Sequence, residues 1–288
     1  MASRPFSNPA DLLRRGLVRQ VRAVFNHAAD GQTPVPPSDN AFFARDTPIR
    51  MVHADVVSMM VGGISALLMQ MLHPHALRGV LDHSNFRADM HGRLRRTARF
   101  IAVTTYGDRR DAERAIARVN AIHAHVGGTL PDGTPYSARD PRTLAWVHVT
   151  EATCFLEAYL RYVRPGMPAA QQDEYFRQFA LIARKLGADP VPETREEAAA
   201  IMRAMRDDLA AGPETREVAQ LIVERRGTGA AGAVQPALST AAIDMLPSFA
   251  RVMLELEPPG LSAIPARLAT QSLGGALRWA FRQRPAHS

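Results

Sequence analysis

Arg93, Arg96, Thr97 and His123 are the residues of this chain whose types and spacing could do chemistry. Arg93, Arg96 and Thr97 fall at i, i+3 and i+4, which on a helix gathers two cations and a hydroxyl on one face. His123 lies in a segment where Ala112, Ala115, Ile116, Val119, Ile122 and Val126 recur at helical spacing, predicting one apolar stripe that faces a core. At about 100° per residue His123 sits roughly 20° from the direction of Ile116, whereas His125 points about 180° away from it, towards solvent. A buried imidazole beside a guanidinium pair suits a ligated cofactor that carries negative charge.

The elements that must position these groups are marked by caps and breakers. Asp108 predicts the start of the His123 helix, with Asp111 in its first turn and Gly127 at its end. The arginine helix follows a histidine-dense corner, His73-Pro74-His75 through Val80, Asp82, His83, Ser84 and Phe86, with His91 read as a loop residue. Residues 56–72 are the most apolar stretch, interrupted only by Ser58, Gly62, Gly63, Ser65 and Gln70. At about 1.5 Å per residue the stretch spans roughly 25 Å, short of the ~30 Å hydrocarbon layer, and so predicts a central buried helix. Its glycines allow another helix or a flat ligand to approach the backbone.

Further on, Asp140 caps and Pro141 opens a long helix that runs to about Val163 and stops before Pro165-Gly166. Leu144, His148, Glu151, Phe155 and Tyr159 share one face of it. His148 and Glu151, one turn apart, could ligate a metal or hold each other in a polar network, and the network is the preferred reading.

A helix over residues 169–186 closed by Gly187, another opened by a capping box from Thr194 to Glu197, and helices over 214–226, 237–255 and 265–282 complete the pattern. The polar stretch 129–139 reads as a turn-rich loop. No strand of convincing alternation is present, so the chain reads as all-α. Gly227, Gly229 and Gly232 spell a dinucleotide fingerprint, but a charged helical segment precedes them where that motif needs a strand, and they are read as a flexible loop.

With 46% hydrophobic residues, the 288-residue chain can bury one large core. It divides into an N-terminal arm, residues 1–40, and a single helical domain, residues 41–288. In the arm, residues 12–25 read as an amphipathic basic helix suited to docking on the body or on a second subunit of a homodimer, or to lying on an anionic membrane surface. The formal charge is +7, yet the arginines are scattered and aromatics make up only 6%, a pattern that argues against nucleic-acid binding. Cys154 is the sole cysteine, which excludes internal disulfides and thiolate zinc clusters. Together with an N-terminus that lacks a charged-then-apolar leader pattern, this predicts a reducing, cytoplasmic setting.

Read together, His73-Pro74, Gly79-Val80, His83-Ser84, Phe86, Gly92-Arg93, Arg96-Thr97, Tyr106-Gly107, Ile122-His123, Gly127, Tyr136, Asp140-Pro141 and Trp146-Val147-His148 resemble one family. It is the haem b oxygenase family that includes latex clearing protein (rubber oxygenase) and the MpaB-type oxygenase of mycophenolic acid biosynthesis, and the likeness covers roughly residues 50–247. The resemblance implies an all-α, globin-like domain enclosing a haem b pocket, with His123 as the proximal iron ligand. It implies a distal group of Arg93, Arg96 and Thr97 as catalytic residues, with one arginine, such as Arg93, available to pair a haem propionate and with His148 supporting the cofactor from the core. Dioxygen is the implied co-substrate, and the implied reaction is oxidative cleavage or oxygenation of an apolar, isoprenoid-like alkene. Rubber-cleaving members carry lysine where this chain has Arg96, and a guanidinium does not become a neutral amine ligand at ordinary pH.

Two other classes use some of the same features. A non-catalytic helical protein that carries haem or a lipid would need the same apolar cavity. A di-iron carboxylate bundle would need Glu-x-x-His on two helices plus two further carboxylates, and the chain offers only the reversed His148-Val149-Thr150-Glu151.

Overall fold

The computed structural model describes residues 34–224 and 229–281. In chain order its helices are α1 Pro48–Ala54, α2 Val56–Gln70, α3 Pro74–His83, α4 Met90–Tyr106 and α5 Arg109–His123, then a hairpin of β1 Gly127–Thr129 and β2 Pro135–Ser137. There follow α6 Pro141–Tyr162, α7 Ala169–Leu186, α8 Arg195–Ala204, α9 Pro213–Glu224, α10 Gly229–Met245, α11 Ser248–Leu254 and α12 Ala263–Phe281. The fold is helical, as the periodicity predicts, apart from the hairpin: the stretch read as a polar loop supplies β2, which pairs antiparallel with β1.

The core is organised around α2 and α6, which share the most extensive packing in the fold, with α9, α10 and α12 also against α2. Both helices start where the sequence says. Asp55 accepts a hydrogen bond from the Ser58 amide at 2.9 Å, and Asp140 accepts from the Thr143 amide at 2.7 Å. Trp146, fully buried, donates its indole N–H to the Met69 carbonyl at 3.2 Å and ties the two helices together. The glycines of α2 serve this helix packing. A Cβ on Gly62 would lie 2.8 Å from the Cys154 carbonyl oxygen and 3.0 Å from the Phe155 Cα, so the two backbones touch there.

Gly62→Ala is therefore expected to destabilise the protein by about 1–3 kcal/mol through overpacking. At Gly63 the same Cβ would meet only the Phe155 ring edge at 3.8 Å, so Gly63→Ala should be neutral or stabilising by up to ~1 kcal/mol through helix propensity. Urea midpoints measured at unchanged slope make the comparison; equal shifts in the two variants would show that the backbone approach is not limiting.

Outside the core pair, α1 packs on α4 and α7, and α4 packs on α5. α7 ends at Gly187, whose φ of +90° is the left-handed conformation that glycine adopts without strain. At α8 the capping box is displaced by one residue: Thr194 accepts from the Glu197 amide, but Glu197 reaches back to the amide of Glu193, at 2.7 Å.

Several local expectations need correction. The histidine corner is itself a helix, α3, and His91 lies in the first turn of α4. The stripe containing His123 stops at that residue, so Val126 lies beyond the helix, and Ile122 is 53% exposed, with no described element covering the last turn on that side. Gly229 and Gly232, expected in a loop, belong to α10, which runs through Pro236; Gly227 and the amphipathic segment 12–25 lie outside the described residues. The single helix expected over 237–255 breaks at Leu246-Pro247 into α10 and α11. No single helix among the described residues is long and apolar enough to cross a membrane.

Candidate functional site

α5 carries His123 on its last turn. Asp108 caps its start, accepting from the Arg110 amide at 2.9 Å, and Ala112 and Ile116 are the stripe residues it buries fully. Beyond His123 the chain enters the hairpin, which α3 holds in place. The Tyr136 hydroxyl donates to Asp82 at 2.7 Å, and His83 Nε2 lies 3.0 Å from the Gly127 carbonyl and 3.2 Å from the Tyr136 hydroxyl. Burial and the bond to Asp82 push the Tyr136 phenol up to about 12. The C-terminal end of α5 is thus clamped from outside the helix.

α4 brings Arg93 to the same place. His123 is half-buried, its Nδ1 is shielded from water with no hydrogen-bond partner, and burial followed by the charge of Arg93 lowers its pKa. The ring is therefore neutral at physiological pH, the state that ligates a metal. Burial and then repulsion from Arg96 lower the Arg93 pKa, while Glu151 counters them; the guanidinium nevertheless keeps its charge. Glu151 of α6 also lies within electrostatic reach of Arg93. Burial pushes its carboxyl up to about 7, against the opposing effects of the Gln70 amide and Arg93.

The face expected to carry Arg93, Arg96 and Thr97 together is divided. Arg96 is 62% exposed and pairs with Asp89 at 3.4 Å, so it bears on the site through its charge on Arg93. Thr97 is half-buried. The network expected between His148 and Glu151 does not form. Glu151 faces Gln70 and Arg93, whereas the His148 ring packs edge-on against Phe179 at 4.8 Å with its Nε2 unpartnered. His125, as expected, is exposed, with Nδ1 against the Ala121 carbonyl at 2.9 Å.

His53 escaped the sequence reading. It stands beside the same Phe179 ring, at 5.1 Å, with Nδ1 2.9 Å from the Thr105 hydroxyl and Nε2 3.4 Å from the Tyr175 hydroxyl. The only local signal was an imidazole in an otherwise apolar stretch before the Asp55 cap. Gln70 was noted merely as an interruption of the apolar run, yet it touches both the Val147 carbonyl, at 3.4 Å, and the surroundings of Glu151.

These buried groups set the acid sensitivity of the fold. Burial pushes His53 and His148 down to about 3 and His73 down to about 4 from an ordinary 6.5. As pH falls below 6.5 the unfolded chain takes up protons that the folded chain refuses, so stability rises with pH through that window and levels off above it. Glu151 acts in the opposite sense between 4.5 and about 7, where the folded chain keeps a proton that the unfolded chain releases. Three imidazoles outweigh one carboxyl, and Tm is expected to drop steeply on acidification from pH 6.5 to 4.5. A flat Tm over that interval would overturn the assignment of these histidines as neutral in the fold.

The donor set can be compared with the cofactor that the sequence resemblance implies. Among the described residues no three His, Cys, Asp or Glu side chains converge to hold a bare metal ion. Haem brings its own equatorial nitrogens and needs a neutral imidazole from the protein, with cationic side chains near its propionates. An imidazole whose buried nitrogen lacks a partner, next to a shielded guanidinium, fits that requirement.

No curated protein and no solved structure matches the chain. Over residues 50–279, most of its length, the chain matches the family described as ER-bound oxygenase mpaB/B'/Rubber oxygenase, catalytic domain, and it belongs to that family.

Proposed function

We propose that this protein is a haem b oxygenase that uses dioxygen to cleave or oxygenate an apolar, isoprenoid-like alkene. The observation that carries the reading is the neutral His123 imidazole, with its unpartnered buried Nδ1, set beside the shielded Arg93 in a chain of an oxygenase family.

Haem bound here supplies the redox chemistry that dioxygen requires. His123 offers a neutral nitrogen to the iron. Arg93 remains a cation in a site poor in water, where a preorganised donor stabilises negative charge developing on oxygen far better than it would in solvent; the same group suits a propionate. Glu151 compensates the charge of Arg93 and holds a proton on its carboxyl below about pH 7, releasing it above. Thr97 adds a hydroxyl on the α4 face, while Arg96, paired with Asp89, tunes the field from the surface.

The absorption spectrum of the purified protein tests the cofactor directly. A Soret band is expected, together with oxygen consumption and carbonyl products when an isoprenoid alkene is added. A protein that stays colourless after supply of haem would end this reading, and a haem protein that forms no oxygen-dependent product would be a carrier.

A further inference from the structure

A half-open cavity lies on the side of α6 opposite Glu151. At about 100° per residue, Leu156, Thr153 and Glu157 leave that helix roughly 140°, 200° and 240° from Glu151, so they face away from Arg93 and His123. Together with α7, α8 and the start of α11 they line a cavity of about 310 Å³ that is half open to solvent. At ~30 Å³ per water-sized group this holds about ten non-hydrogen atoms. The buried side chains Leu156 and Phe176, with Met202 and Phe249, make its apolar floor.

Its polar groups are unevenly matched. Arg195 pairs with Glu157 and donates to Gln172 at 2.7 Å. Arg203 and Arg206, both exposed to solvent, have no carboxylate partner among the described residues, and Arg206 lies with its Cζ 3.2 Å from the Phe249 ring centre. The cavity therefore carries three cations against one anion. The Thr153 hydroxyl, shielded from water, has no hydrogen-bond partner and remains available as a donor to an occupant. Cations that the protein leaves uncompensated above an apolar floor match a molecule that is anionic at one end and apolar along the rest.

We propose that this cavity binds a carboxylate-bearing apolar small molecule, its carboxylate on Arg203 and Arg206 and its hydrocarbon chain against Leu156, Phe176, Met202 and Phe249. The proposal goes beyond the haem site and does not depend on it.

The test is titration calorimetry of the purified full-length protein with octanoate and with 1-octanol, chains of equal length that differ in charge. Octanoate is expected to bind saturably at one site and at least about ten-fold more tightly than octanol. The double variant Arg203→Gln/Arg206→Gln should remove that difference while leaving octanol binding in place. Ala199 is an exposed residue on the cavity wall, and Ala199→Trp should weaken both probes at least about ten-fold with no change in the haem spectrum or in Tm without ligand. Equal affinity for the two probes, no saturable octanoate binding, or octanoate binding untouched by Ala199→Trp would each overturn the proposal. An octanoate-induced Soret change that persists in Ala199→Trp would place the ligand at the haem instead and overturn it as well.

Discussion

His123→Ala is expected to leave the purified protein without a Soret band, while His125→Ala keeps it. The two residues are two positions apart, His123 ending α5 and His125 lying just beyond its C-cap, so a general disturbance of this turn would affect both variants. They differ in what surrounds them. His123 has a shielded, unpartnered Nδ1 and a pKa lowered by burial and by Arg93, whereas His125 is exposed and its Nδ1 is already against a backbone carbonyl. Loss of groups that merely orient a metal ligand commonly costs about 10–100-fold in affinity, and loss of the ligand itself should exceed that. Ala112 and Ile116 still bury the body of α5, so secondary structure should survive in His123→Ala. Equal haem content in the two variants would remove His123 from the site.

Arg93→Ala is expected to retain haem yet lose about 10²–10³ in turnover per bound haem, the usual effect of deleting one preorganised donor to developing charge. Arg96→Ala should have a smaller effect, because Arg96 is exposed and paired with Asp89 and reaches the site only through its repulsion of Arg93. The informative quantity is turnover divided by haem occupancy. If Arg93 serves a propionate alone, Arg93→Ala will lose haem while each remaining haem works at the normal rate. Unchanged turnover per haem at full occupancy would take Arg93 out of both roles.

How much of this could be read from the sequence depended on how local the cause was. Asp140 and Pro141 start α6 and Gly187 ends α7 because caps and left-handed glycines act within a few residues. The meeting of Arg93 with His123 was legible for a different reason: each lies on a helix whose face the spacing specifies, and the family motifs tie the two helices together. The partner of Glu151 was not legible. Helical spacing put His148 nearest in sequence, but Gln70 and Arg93 come from other helices, and burial decides which neighbours matter. His53 shows the same limit, since Thr105 is 52 residues away and Tyr175 is 122 away. Ile122 failed because a stripe of period 3.6 says which side of a helix is apolar but not where its cover ends.

The clamp at the end of α5 has a consequence for motion. A residue on a terminal turn, next to an exposed Ile122, lies where helices open most readily. The stiffness of His123 is therefore supplied by Asp82 and His83 of α3, acting through the Tyr136 hydroxyl and the Gly127 carbonyl. The turn that carries the imidazole runs directly into a hairpin anchored about forty residues earlier in the chain, so removing that anchor is expected to loosen the reach of the imidazole while the rest of α5 stays wound.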